Sequence, residues 1–116
     1  MKTIVGSFFF LFLLSGCAPQ PLFYWGDYSE TLYDYKKNPD DKTLDAHMKS
    51  LQDIFDKSAH MNKRVPPGAY AEYGYLLLKE GKDQDGLVYL DKEQSLYPES
   101  AVFIQRIKDE MQRGKK

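Results

Sequence analysis

Cys17 is the single cysteine of a 116-residue chain, and it stands where an apolar run stops, in Leu14-Ser15-Gly16-Cys17. A lone thiol closes no internal disulfide; in an exported protein it is a reactive thiol, an intermolecular partner or a modified residue. The other groups that could do chemistry are few. His47 and His60 lie 13 positions apart, with no HxxxH or HExxH spacing, so no metal site is expected and both are expected on the surface. Asp83-Gln84-Asp85-Gly86 opens like a calcium loop but lacks the third ligand, the spacing to the glycine and the closing Glu, and reads as the first turn of a helix. Asp40-Asp41 falls at a helix start beside lysines, the ordinary setting for solvated charges. With no GxSxG, no Cys–His pair and no phosphate loop, the expectation is a protein that is not an enzyme and holds no metal.

The segments around Cys17 give it a context. Met1-Lys2-Thr3 carries one positive charge, and Ile4–Leu14 is an 11-residue apolar run. That length suits a secretory h-region and falls short of the ~20 residues that span a bilayer; the alternative is a buried helix or an uncut anchor. Leu14-Ser15-Gly16-Cys17 resembles the lipobox of bacterial lipoproteins. The resemblance implies cleavage before Cys17, a diacylglyceryl group on its sulfur and acylation of the new amine. The expected organisation is a signal peptide over 1–16, a lipidated N-terminus and linker over 17–26, a helical domain over 27–112 and a tail over 113–116. In Gram-negative lipoproteins an Asp after the Cys favours inner-membrane retention. Ala18 in its place implies the outer membrane, with the body in the periplasm.

Removing residues 1–16 takes away only Lys2 among the charges, moving the net charge from −1 to −2. The 100 residues left make one small domain. Charged residues at 28% and aromatics at 15% argue against disorder, and the balanced charge argues against a nucleic-acid partner. Ala18-Pro19-Gln20-Pro21 is an extended tether. Leu22-Phe23-Tyr24-Trp25 either packs on the first helix or contacts a membrane interface or partner.

The rest is helical in pattern. Tyr28, Leu32 and Tyr35 mark a helix from Asp27 to about Lys37, and Asn38-Pro39 ends it. Leu44, Met48, Leu51, Ile54 and Phe55 mark a second from about Asp41 to Ala59. Val65-Pro66-Pro67-Gly68 precedes a third, which carries Tyr70, Tyr73, Gly74 and Leu77 and closes at Gly81. Asp83 is expected to cap a fourth, which carries Leu87, Leu90 and Tyr97 and stops at Pro98. A fifth spans 101–112, with Ser100 as its cap and Phe103, Ile104, Ile107 and Met111 as its buried stripe, before a frayed tail.

The third and fourth helices resemble a tetratricopeptide repeat, whose period is 34 residues. Gly74 takes the small position of the first helix, Tyr70 its aromatic position and Leu77 the later large one. Gly86 and Leu90 take the small and large positions of the second helix and Pro98 the closing proline, and the spacing of 24 from Gly74 to Pro98 is the motif's own. Glu93 departs from the preferred Ala, which leaves the packing there open. Shifting back by 42 residues matches Tyr28, Tyr35, Leu44 and Met48 to Tyr70, Leu77, Gly86 and Leu90. That makes the first pair a degenerate repeat or a plain hairpin. The expected fold is all-α, with tetratricopeptide-like antiparallel hairpins of about five helices. In such folds the first helix of each repeat lines a concave groove, which assigns Tyr75 and Lys79, with their counterparts Tyr33 and Lys37, to a partner-binding face.

The mature chain, most clearly from Pro66-Pro67-Gly68-Ala69-Tyr70 to Tyr97-Pro98-Glu99-Ser100-Ala101, resembles a family of small Gram-negative lipoproteins described as a domain of unknown function. Glu72-Tyr73-Gly74, Leu77-Leu78 and Lys92-Glu93 belong to the same pattern. That family's genes often neighbour a lipoprotein similar to the curli-secretion pore. The resemblance implies an adaptor in an outer-membrane assembly or secretion complex, held by its lipid and binding protein, with no cofactor beyond the covalent lipid on Cys17. A regulator of a periplasmic cell-envelope enzyme, building peptidoglycan or surface polysaccharide, is the second reading; a hydrolase with an unrecognised site is the third.

Overall fold

The computed structural model describes residues 16–115. The expected export segment, apart from Gly16, lies outside the described residues. Five α-helices follow the linker: α1 (Tyr28–Lys37), α2 (Asp41–His60), α3 (Ala69–Lys79), α4 (Asp83–Leu96) and α5 (Ala101–Gly114), with a 3-10 turn at Pro98–Ser100. Among the described residues there is no strand, and no helix is long and apolar enough to cross a membrane.

The boundaries come from local chemistry. Asn38-Pro39 stops α1, and Asp40 opens α2 with a capping box, its carboxylate accepting the Thr43 N–H at 2.8 Å while Thr43 accepts the Asp40 N–H. α2 and α3 end in the same way. After α2 the Lys63 N–H bonds the Ser58 carbonyl and the Asn62 N–H bonds that of Ala59; after α3, Lys82 and Gly81 do the same to Leu77 and Leu78. This closure needs a left-handed residue, supplied by Asn62 (φ 52°) and Gly81 (φ 78°).

Cross-helix contacts establish that the neighbours are antiparallel. Thr31 meets His47 while Asp27 meets Ser50, so sequence numbers rise along α1 as they fall along α2. Glu93 reaches Gly68 and Tyr97 reaches Val65, which orders α3 against α4. Lys108–Asp91 and Lys115–Asp83 do the same for α4 and α5. The fold is thus two helical hairpins and a fifth helix, the tetratricopeptide-like arrangement expected.

The motif residues do what their types require. A Cβ on Gly74 would lie 2.8 Å from the Gly86 carbonyl oxygen, and one on Gly86 would lie 2.7 Å from Leu78 and 2.8 Å from the Gly74 oxygen. α3 and α4 therefore meet backbone to backbone. Leu77 joins Leu51, Ile54, Val65, Ala69, Tyr73 and Leu76 in the central core, against which Tyr70, Tyr28, Tyr35, Leu44 and Met48 also pack. Phe55 of α2 sits among Tyr70, Tyr73 and Tyr89, with ring centroids 4.6, 5.5 and 5.7 Å away. Leu90 anchors a second cluster with Ala71, Ile104 and Ile107. Pro98 opens the 3-10 turn.

Several expectations change. His60 is exposed, but His47 is completely buried, because α1 and α3 bring it hydrogen-bond partners. Glu93, 2% exposed, accepts the N–H groups of Gly68 (2.7 Å) and Ala71 (3.3 Å) and so caps α3 from the neighbouring helix. Asp83 is the first helical residue of α4 rather than its cap, and pairs with Lys115 at 2.6 Å. The Ser100 hydroxyl donates to the Tyr97 carbonyl and caps nothing in α5. α5 runs two residues beyond 112, to Gly114, into the expected tail. Phe103 is 57% exposed: it lies one position before Ile104, ~100° around the helix from the stripe that Ile104 and Ile107 bury.

Candidate functional site

α3 and α5 leave a groove between them. Gly68, Ala71, Glu72 and Tyr75 line one wall of a hollow of about 440 Å³, and Phe103, Ile107 and Glu110 line the other. Tyr75, Ile107 and Glu110 also line a second hollow of about 350 Å³, which continues past Lys79 and Met111 to the Asp83–Lys115 pair. The two make one channel, apolar at the Phe103 end and charged at the other. Spacing within α3 decides the first wall: Glu72, Tyr75 and Lys79 recur at i, i+3 and i+7 and share one side of the helix. Ala71 and Gly68 leave room beside it.

Tyr75 and Lys79 both line the groove and lie against each other, the ammonium 5.8 Å from the ring centroid. Tyr33 and Lys37 form the same pair at the same distance on α1. At exposed sites such a contact contributes about 0.5–1 kcal/mol. The two pairs do not share a pocket, for Tyr33 and Lys37 line neither hollow. The α1 cation whose charge reaches the groove wall is Lys36, acting on Glu72.

Behind that wall lies a chain of polar groups that the sequence reading missed. His47 Nε2 donates to Glu72 Oε1 at 2.7 Å, the Tyr28 hydroxyl donates to Glu72 Oε2 at 2.5 Å, and Thr31 Oγ1 lies 2.9 Å from His47 Nδ1. One carboxyl from α3 thereby ties α1 and α2 to the groove. Burial pushes the Glu72 carboxyl up, but the hydrogen bonds from His47 and Tyr28 and the charges of His47 and Lys36 outweigh it and hold the group below its ordinary value. Burial, and then the bond to Glu72, raise the Tyr28 phenol well above its own. Hydroxyl, imidazole and carboxylate in series are the parts of a proton relay. Here both ring nitrogens are occupied and the ring is fully buried, so the chain acts as a brace.

The brace has a pH signature. The folded Glu72 carboxyl titrates below its unfolded counterpart, so its contribution to stability is complete above about pH 4.5 and is lost as pH falls through the folded value. Urea midpoints of the wild type should therefore drop steeply below that pH, and those of Glu72→Gln should drop less. Parallel profiles for the two proteins would contradict this assignment.

A family described as a domain of unknown function, DUF4810, matches residues 22–107. The chain belongs to this family. The DUF4810 match runs from the apolar segment before α1 to Ile107 of α5. It takes in the polar brace and all of the groove except its end at Glu110 and Met111, the last turn of α5 and Lys115. Cys17 precedes it. No curated protein and no solved structure matches the chain.

Proposed function

We propose that this DUF4810 protein is a lipid-anchored periplasmic adaptor of the outer membrane, which holds a protein partner in the groove between α3 and α5. The observation that carries the reading is the groove itself. It joins an apolar hollow at Phe103 to polar tips from Tyr75, Lys79 and Glu110, and one wall is braced from behind by His47. A concave site with an apolar floor and a few fixed polar groups suits a peptide segment or a partner helix. The braced wall reduces the ordering that binding would otherwise require. Leu14-Ser15-Gly16-Cys17 and the exposed position of Cys17 support the anchor, since two or three acyl chains hold a protein on a membrane where one does not. The resemblance to lipoproteins encoded beside a curli-secretion-pore-like lipoprotein names that protein as the first partner to seek.

Crosslinking the full-length protein in intact cells, followed by capture from membranes, tests the proposal. Wild-type protein should bring down an outer-membrane component, and Tyr75→Ala with Lys79→Ala should reduce that capture about tenfold or more, as the loss of an aromatic anchor does. Unchanged capture by the double variant would remove the groove from the account. Capture of a peptidoglycan or polysaccharide enzyme in place of an outer-membrane component would favour the regulator.

A further inference from the structure

The way the chain enters the fold defines a second surface. Residues 21–31 run antiparallel beside α2: the Asp27 carboxylate accepts the Ser50 hydroxyl at 2.7 Å, the Tyr24 hydroxyl donates to Asp53 at 2.7 Å, and Lys63 Nζ donates to the Pro21 carbonyl at 2.9 Å. Pro21 therefore lies against the turn that follows α2. Cys17 is four residues earlier, a distance of at most ~14 Å along an extended chain. The same turn is held from its other side, where Arg64 donates to the Leu96 carbonyl at 2.8 Å and the Tyr97 hydroxyl to that of Val65 at 2.6 Å.

Two kinds of side chain lie along this entry segment and the turn after α2. Leu22, Met61 and Trp25 are 75%, 48% and 41% exposed, although Phe23 and Tyr24 between them are half-buried. Lys63 lies beside Pro21 through its bond to that carbonyl, and Lys57 stands in the last turn of α2 just before the same turn. The charge is lopsided for a chain with 17 acids: Cys17–Gly26 has no charged residue, and Lys57–Ala71 has three cations, one histidine and no acid. Acids near this end are Asp53, already engaged by Tyr24, and Asp27, already engaged by Ser50, with Asp56 on α2 and Glu99 in the turn after Tyr97.

We infer that this end of the domain docks on an anionic bilayer, with Leu22, Trp25 and Met61 entering the headgroup boundary and Lys57 and Lys63 facing lipid phosphates. The inference rests on the lipid anchor at Cys17 proposed above. Tryptophan beside aliphatic side chains is suited to the membrane interface, and basic side chains at its edge are drawn to anionic headgroups. A four-residue tether keeps the patch at high effective concentration beside the membrane, so that weak contacts suffice. Docking in this sense orients the groove. α3 begins just after this turn, so the Gly68 end of the groove faces the bilayer and the Lys79 end points into the periplasm.

Trp25 is the only tryptophan, so its emission reports the docking directly. The mature full-length protein, purified from membranes, is reconstituted into vesicles of phosphatidylethanolamine and phosphatidylglycerol whose acyl chains are brominated near the headgroup. Mass spectrometry of its N-terminal peptide reads the acyl chains on Cys17 independently. With Cys17 acylated, Trp25 emission should shift to the blue and lose roughly half its intensity to bromine, as expected for a side chain at the interface. Lys57→Glu with Lys63→Glu, shown to be helical by circular dichroism, should recover most of that intensity. Unquenched emission from acylated, vesicle-bound protein would overturn the docking surface. An unmodified Cys17 would instead overturn the anchor, and this inference with it.

Discussion

Gly74→Ala should destabilise the fold by about 2 kcal/mol, against a helix-propensity preference of about 1 kcal/mol for alanine over glycine. The sign follows from what the added methyl would meet. It would sit 2.8 Å from the Gly86 carbonyl oxygen and 3.2 Å from the Leu90 nitrogen, and both are backbone atoms that no rotamer change can move away. α3 and α4 would have to separate, loosening Leu77 and Leu90 in the two clusters that the pair supports. Gly86→Ala should act in the same direction, through Leu78 and the Gly74 carbonyl. Both substitutions force the same separation, so the double variant should cost less than the sum of the two single ones. Urea unfolding with an unchanged slope is the measurement. A Gly74→Ala protein more stable than the wild type would mean that the helices do not approach as closely as described.

Glu93→Ala should destabilise by about 2–3 kcal/mol and lower the melting temperature by roughly 10–20 °C for a domain of this size. The tetratricopeptide pattern taken alone predicts the opposite, since alanine is the residue that pattern prefers. Here the Glu93 side chain is buried and accepts the N–H groups of Gly68 and Ala71 at the start of α3, where the helix has no cap of its own. Its carboxylate also sits at the positive end of the α3 dipole, which favours an anion there. Removing it leaves two donors without acceptors and a void beside Leu90. Glu93→Gln should fall between the wild type and the alanine variant, because its amide oxygen can still accept. Thermal melts followed by circular dichroism decide the matter. A neutral Glu93→Ala would show that α3 needs no cap from α4.

Residues whose effect is local were legible in the chain itself. Pro39, Gly81 and the Pro66-Pro67-Gly68 run break helices through their own backbone constraints, and the helix boundaries fall within one or two residues of them. Gly74 and Gly86 were legible too, because a motif of known spacing ties each to a close approach. The Tyr75–Lys79 and Tyr33–Lys37 pairs needed only the pitch of a helix.

What the chain did not disclose depends on neighbours far along it. A periodic stripe gives the direction in which a helix buries its side chains, and is silent about which polar group will meet a partner. His47 is buried because Glu72, Thr31 and Tyr28 arrive from two other helices, and Glu93 because α3 brings it two N–H groups. Phe103 read as core because apolar residues surround it in sequence, yet α5 packs on one flank only and leaves the edge of its stripe open over the groove. Leu22-Phe23-Tyr24-Trp25 divides for a similar reason. Tyr24 can reach Asp53 on α2, whereas Leu22 finds no such partner and Trp25, its ring against Tyr28, stays partly exposed. Sequence alone determined the helices and their turns. Tertiary structure alone decided which polar groups brace the groove and which apolar ones remain exposed, because burial of either kind is a property of two surfaces and not of one.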